Sequence, residues 1–328
     1  MLEIDGSIGE GGGQVLSTAL ALSAVLGKEV RIHNIREGRS APGLKPQHLA
    51  VCNALAKISG GEMKGAEIGS SEVVFKPGKA MGGEFEFDIG TAGACPLLLQ
   101  AVLPVLLHAE GKSRVVMKGG THVMAAPTFD YIANVFLPAI RLMGAGAKVE
   151  MRRAGFYPAG RGEMLLECSP SEISGAEFCR QGNAGVGYSI ISSQLPSHVA
   201  KREEEVVLGA FPSAKGSAHD VPSACAGNAV TVWSGFFGAS CLGKAGRKAE
   251  EVAAEACKTL AGEMRSPSSV DSRLADQLLL YAALARGKTS YSAPEFTQHL
   301  KTNALVVRAM TGRNIMLNPE GNLVCCGE

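Results

Sequence analysis

Two rhythms of apolar residues run along this chain, one with helical spacing and one that alternates. The first long apolar run, Val15 to Leu26, predicts a helix closed by Gly27, a natural left-handed stop. Val30, Ile32 and Asn34 then alternate with Arg31, His33 and Ile35, which predicts a strand. A second helix is expected from Gln47 to Ile58, with Leu49, Cys52, Leu55 and Ala56 on one side and Gly60-Gly61 as its stop. Short strands are expected at Val73–Phe75 and Glu84–Phe87. Helices follow from Pro96 to His108 and from Pro127, as its first residue, to about Met143. In the latter, Phe129, Ile132, Phe136 and Ile140 keep helical spacing and read as core, while Asp130 and Tyr131 fall elsewhere. Arg114–Lys118, Lys148–Arg152 and Glu163–Cys168 read as strands.

The opening pattern recurs. Asp88-Ile89-Gly90-Thr91-Ala92-Gly93 precedes an apolar helix much as Asp5-Gly6-Ser7-Ile8-Gly9 does. Gly27-Lys28 and Gly111-Lys112 each lead into a strand. A third, weaker copy is Asp276 to Ala285, Gly287-Lys288 and Thr289 to Tyr291. One helix-and-sheet unit is therefore expected about three times. Between Gly175 and Ser268 the texture changes: a charged helix (Ser197–Leu208), a polar loop (Gly209–Gly227), a strand (Val230–Trp233) and a helix (Lys248–Met264). This segment reads as an inserted small α/β domain with a solvated charged helix face. A final helix runs to about Met310.

At 328 residues and 46% hydrophobic, the chain can build a large core in one domain with an insertion, or in two. The formal charge is only +1, so a nucleic-acid partner must be met by a local basic patch. No signal core or membrane-length apolar run is present, and the nine cysteines form no CxxC pair. These features point to a reducing, cytoplasmic setting. The seven histidines show neither HExxH spacing nor a Cys/His cluster. There is no Walker A motif, and Gln14 stands where a dinucleotide fingerprint needs its last glycine.

The chemistry concentrates in a few stretches. Glu10-Gly11-Gly12-Gly13-Gln14, ahead of a helix, suits an anion held by free N–H groups; the same run also serves as a tight turn that binds nothing. Glu10 beside a phosphate calls for a cation, which makes it a candidate Mg²⁺ or Mn²⁺ contact. Arg36 and Arg39, in the loop that ends Lys45-Pro46-Gln47-His48, suit phosphate oxygens or form a solvated loop. Gln100 lies in an apolar helix, either as a satisfied core amide or facing the ligand of Glu10.

Seven stretches in order, EGGGQ, REGRSAPGLKPQHL, DIGTAGACPLLLQAVLP, GGTHVMAAPTFDYI, GFYPAG, LADQL and QHLKTN, resemble the RNA 3′-terminal phosphate cyclase family over essentially the whole chain. The resemblance implies an α/β (α+β) fold. A large domain of three units, each a four-stranded sheet on two helices, would occupy residues 1–174 and 269–328, with a smaller inserted domain at 175–268. It implies an ATP-dependent ligase that turns an RNA 3′-terminal phosphate into a 2′,3′-cyclic phosphate, with ATP and a divalent metal (Mg²⁺ or Mn²⁺) as cofactors. Residue by residue, His299 matches the nucleophile that carries AMP, and Glu10 and Gln100 match positions near the metal and the ATP phosphates. Arg36, Arg39 and Gln47 match the region that binds phosphate or RNA. Pro127 and Tyr131 match residues near the adenine, and Arg273, Leu274, Ala275, Asp276 and Gln277 match the nucleotide-binding segment. Three positions depart from the family pattern: Ser17 replaces an arginine, Arg273 an aromatic and Arg161 a glycine. Two rivals share the resemblance: a non-catalytic relative acting in ribosomal RNA processing, and an enolpyruvyl transferase built from the same units. His299 within TQHLKTN favours the enzyme over both.

Overall fold

The structure, a computed structural model, describes residues 1–182 and 184–327. The first unit is β1 (Leu2–Asp5), α1 (Gly13–Leu26), β2 (Val30–His33), α2 (Pro46–Ser59), β3 (Glu62–Lys64) and β4 (Val73–Lys76). β1 lies parallel to β2, and the sheet order is β1-β2-β4-β3. The second unit is β5 (Glu84–Asp88), α3 (Cys95–Leu107), β6 (Ser113–Gly119), α4 (Phe129–Tyr131), α5 (Leu137–Leu142), β7 (Ala147–Arg153) and β8 (Gly162–Cys168). α4 runs into α5 through a π-helical stretch, Ile132–Phe136. The sheet β5-β6-β8-β7 repeats the first topology, including the parallel first pair.

The inserted layer comprises β9 (Gly187–Ser193), α6 (His198–Ala210), β10 (Lys215–Asp220), β11 (Gly227–Ser234), β12 (Phe237–Leu242) and α7 (Ala249–Arg265), in the order β10-β9-β11-β12. The last unit holds α8 (Ser272–Leu284), β13 (Thr289–Ser292), α9 (Gln298–Thr311), β14 (Asn314–Asn318) and β15 (Leu323–Gly327). Its sheet, β13-β15-β14, has three full strands. Ser174 and Glu177 complete it with parallel bridges to Arg286 and Ser290, at the place β1 and β5 take in their sheets. The insertion therefore interrupts the third unit between its first strand and its first helix.

This corrects the expected boundary. Gly175 N donates to Arg286 O at 2.7 Å and Phe178 N to Ser290 O at 2.9 Å, and Phe178 is buried in the main core. The chain leaves the large layer after Phe178, not at Gly175.

Helices occupy the centre because their sequences are apolar on nearly every side. Nine residues of α1, Val15, Leu16 and Thr18 to Ala24, are buried, so nearly every side of the helix meets other elements. α1 packs against α2, α3 and α9. The sheets cover this bundle, and their outer faces carry charge pairs such as Lys118–Glu86 (2.5 Å) and Arg31–Glu72 (2.7 Å). Such exposed, solvent-screened pairs add little, so the apolar bundle carries the fold. No helix among the described residues is long and apolar enough to cross a membrane.

Four local expectations change. The polar stretch 209–227 contains the edge strand β10, whose residues are almost all exposed and so show no alternation. Pro127 precedes the helix: Thr128 is its cap, with Oγ1 accepting from Tyr131 N at 3.2 Å. Asp130 and Tyr131 are buried, at 7% and 1% exposure, whereas Phe129 is only partly so. The charged face of α6 includes a buried carboxyl, Glu203, which accepts from Asn228 Nδ2 at 2.7 Å. Burial raises that carboxyl to about 7.

Candidate active site

The glycine-rich loop between β1 and α1 folds against the start of α9. Gly9 adopts φ +62°, and a Cβ there would fall 2.0 Å from Thr302 Oγ1. Only glycine permits both the left-handed backbone and this approach. The contact brings Glu10 and Gln14 to His299, the second residue of α9 after its cap Thr297. His299 Nε2 stands 3.1 Å from Glu10 Oε2, and Nδ1 stands 3.0 Å from Gln14 Oε1. An amide oxygen can only accept, so Nδ1 carries hydrogen toward Gln14. In the neutral ring that tautomer leaves Nε2 without hydrogen, so its 3.1 Å approach to the Glu10 carboxylate sets two acceptors face to face and calls for a proton or a cation between them.

Gln14 is fixed in turn. Its Nε2 donates to Asp276 Oδ2 at 2.5 Å, and Asn303 Nδ2 donates to Asp276 Oδ1 at 2.9 Å. Thr18 Oγ1 donates to Asn303 Oδ1 at 2.9 Å. The Asp276 carboxyl rises to about 6 because burial outweighs the pull of His299 and the amide donors. In sequence Gln14 only closes the glycine run ahead of α1; its contact with His299 arises where α1, α8 and α9 meet.

A second wall comes from the loop before α2. Arg39 Nη2 is 3.6 Å from Glu10 Oε2 and remains well exposed. Arg36 is committed to its own loop: Nη1 donates to Ala41 O at 2.6 Å and to Gly43 O at 2.9 Å. Arg36 thus shapes the loop that presents Arg39. His48 Nδ1 accepts from Lys45 N at 3.0 Å, and burial, with Arg36 and Lys45 nearby, lowers the ring to about 4. It is therefore neutral at pH 7, with hydrogen on Nε2. That nitrogen lies 2.2 Å from where a Cβ of Gly13 would stand, so it covers the first residue of α1.

The remaining expected residues divide. Gln47 donates to Ala94 O at 3.2 Å, and its Oε1 is buried without a partner. The buried Nε2 of Gln100 and Oε1 of Gln277 also lack partners. The orphan on Gln100 is a donor, so it suits a phosphate oxygen better than a cation. Among the described residues no hydrogen bond joins Gln100 to Glu10 or His299. Leu274 and Ala275 are fully buried at 0%, so their side chains pack α8 into the core. The Tyr131 ring is likewise closed off: its hydroxyl donates to Asp271 at 2.9 Å, inside the seam with the inserted layer. Pro127 keeps a partly exposed face, and Arg273 is exposed. Ser17 Oγ turns back to Gly13 O at 3.1 Å and does not replace an arginine's reach.

No group of three or more His, Cys, Asp or Glu side chains able to hold a metal occurs among the described residues. Glu10 is a single carboxylate, and its setting fits a cation held mostly by phosphate oxygens and water, as is usual for Mg²⁺. Together, these groups can present an imidazole lone pair beside an anion-binding helix start, with Arg39 and His48 as flanking donors.

A family profile described as RNA 3′-terminal phosphate cyclase matches residues 8–317. A protein of that name from Archaeoglobus fulgidus is 43% identical over 329 residues, covering 99% of both chains. One from Methanosarcina mazei is 40% identical, covering 93% of this chain and 94% of its own. One from Methylococcus capsulatus is 39% identical, covering 94% and 90%. Among solved structures, the enolpyruvyl transferase NikO from Streptomyces tendae matches at 16% identity with a TM-score of 0.29, over 52% of this chain and 33% of that one. That likeness is too low to bear on fold or chemistry.

Proposed function

This chain belongs to the RNA 3′-terminal phosphate cyclase family, and from that premise we propose that it cyclises RNA 3′-phosphates at the expense of ATP through a histidine-bound nucleotide. The observation that carries the reading is the pinning of His299: Gln14 holds Nδ1 at 3.0 Å, and Nε2 faces the glycine loop. Nε2 attacks the α-phosphorus of ATP, a P–N bond forms and pyrophosphate leaves. The RNA 3′-phosphate then attacks the same phosphorus, and the P–N bond breaks to release the imidazole. Finally the adjacent 2′-hydroxyl attacks the RNA phosphorus, loses its proton and expels AMP, leaving the 2′,3′-cyclic ester. Splitting the reaction this way replaces one difficult displacement by easier ones.

In this reading the first turn of α1, Arg39 and the Nε2–H of His48 bind phosphate oxygens. Glu10 anchors Mg²⁺ or Mn²⁺, which when bound supplies charge neutralisation to the triphosphate. The nucleotide base lies toward Pro127 and Arg273, whose guanidinium can stack on it in place of an aromatic ring. Leu274, Ala275 and Tyr131 set the shape of that pocket from behind.

The test is incubation with α-labelled ATP and divalent metal. An acid-labile, alkali-stable protein adduct is expected, absent in His299→Ala. A 3′-phosphorylated oligonucleotide added next should become resistant to phosphatase. An adduct of wild-type yield in His299→Ala would falsify the nucleophile. The absence of any adduct or cyclic product from the intact protein would favour the non-catalytic relative.

A further inference from the structure

Beside the catalytic loop, and separated from it by the first turn of α2, lies a cleft of about 450 Å³. Gln47, Gly93 and Leu97 line it from within, and Met124 and Tyr157 form its lips. The volume is in the range that takes one small ligand. Met124 and Tyr157 are 76% and 74% exposed, unusual for large apolar side chains on a chain whose other aromatics are mostly buried. The backbone fixes the arrangement. A Cβ on Gly160 would stand 2.7 Å from Ala92 Cα, so the hairpin carrying Tyr157 is seated on the loop that forms the floor.

Three observations decide the occupant. First, the cleft adjoins the candidate active site across the first turn of α2. Gln47 and His48 are neighbours at the start of α2, one lining the cleft and the other covering Gly13. Second, Gln47 Oε1 is buried with no partner, an acceptor that an amino or hydroxyl group would satisfy. Third, Arg153 and Arg161, in the Tyr157 connection and its flanks, are exposed and form no ion pair among the described residues. An open-ended apolar slot with an exposed aromatic ring at its mouth, on a connection whose sequence flanks carry unpaired arginines, suits the end of a polyanion that must continue into solvent. We propose that this cleft holds the terminal nucleoside of the 3′-phosphorylated RNA, its base stacked on Tyr157 against Met124 and its polar edge toward Gln47. The proposal rests on the cyclase reading for the identity of the ligand. It adds a base-binding subsite whose affinity comes chiefly from stacking, which uses the ring face common to all four bases.

The experiment measures equilibrium binding of a 3′-phosphorylated oligoribonucleotide by fluorescence anisotropy. The probe is compared with the same oligonucleotide whose last nucleotide is abasic. Stacking of one base is worth about 1–3 kcal/mol. Tyr157→Ala should therefore weaken binding of the normal probe by roughly tenfold. Tyr157→Phe should restore most of that loss, and the abasic probe should bind wild type and Tyr157→Ala alike. An equal penalty on both probes would show a merely structural role and overturn the proposal. So would a Tyr157→Ala protein that binds normal RNA as wild type does. A raised ATP requirement for adduct formation, with RNA affinity untouched, would assign the cleft to ATP and overturn it as well. Discrimination between the two probes by a protein that makes no cyclic product would sink the cyclase reading while leaving the subsite in place.

Discussion

Gln14 Oε1 lies 3.0 Å from His299 Nδ1, across 285 positions of sequence. The same amide donates to Asp276, so one side chain transmits the position of a buried carboxyl to the imidazole. Its loss should let the ring rotate and should free the other tautomer. Gln14→Ala is expected to slow adduct formation by about 10–100-fold, the scale of a small misplacement of reacting groups. Single-turnover kinetics with labelled ATP measures this. A KM effect alone, with the rate at saturating ATP unchanged, would show that the amide does not orient His299.

Glu10 is the carboxylate nearest His299, at 3.1 Å from Nε2. Glu10→Ala should slow adduct formation and move the Mg²⁺ or Mn²⁺ concentration for half-maximal rate upward. Glu10→Gln should resemble Ala in the metal titration, since the charge is lost in both. A wild-type titration curve would remove Glu10 from the metal site.

Arg39 reaches the rim of the same site, 3.6 Å from Glu10, and is exposed. A hydrogen bond to a charged group contributes about 1.5–3 kcal/mol. Arg39→Ala should therefore reduce either adenylylation or transfer to RNA by roughly 10–100-fold, and Arg39→Lys should recover only part because the fork is gone. Measuring the two half-reactions separately shows which phosphate it holds. Unchanged rates in both would make the loop a solvated surface.

Asp271 joins the inserted layer to the large one, accepting from Tyr131 OH and from Gly238 N at 2.9 Å. Burial pushes its carboxyl up to about 7 from an ordinary 3.8, against the pull of these donors. The folded chain thus holds a proton that the unfolded chain releases. The stability this group contributes is full below about pH 4 and is lost as pH rises through about 7. The change is on the order of 4 kcal/mol. Asp271→Asn should flatten the fall in urea midpoint between those pH values. An identical pH profile in the variant would assign the dependence to other groups.

Much of the local architecture was legible from order and spacing. The apolar blocks marked α1, α2 and α3, and Gly27 and Gly60 stopped the first two at left-handed residues. The recurrence of a glycine turn before an apolar helix announced the repeated unit. β10 was invisible because an exposed edge strand has no buried face to impose alternation. Tyr131 and Asp130 were misplaced because helical spacing identifies one core face, whereas the inserted layer buries a second.

What followed from sequence alone was therefore each segment's own preference: where helices start and stop, that the unit repeats, and which residue types bear chemistry. Those are consequences of backbone geometry and side-chain burial within a few turns. Folding alone decided that Glu10 and Gln14 meet His299, that Ser174 to Phe178 begin the third unit before the insertion, and that Arg36 serves its loop while Arg39 faces the site. Hydrogen bonds between distant segments leave no periodic trace, because their partners are chosen by packing of α1 against α9 and not by neighbours along the chain.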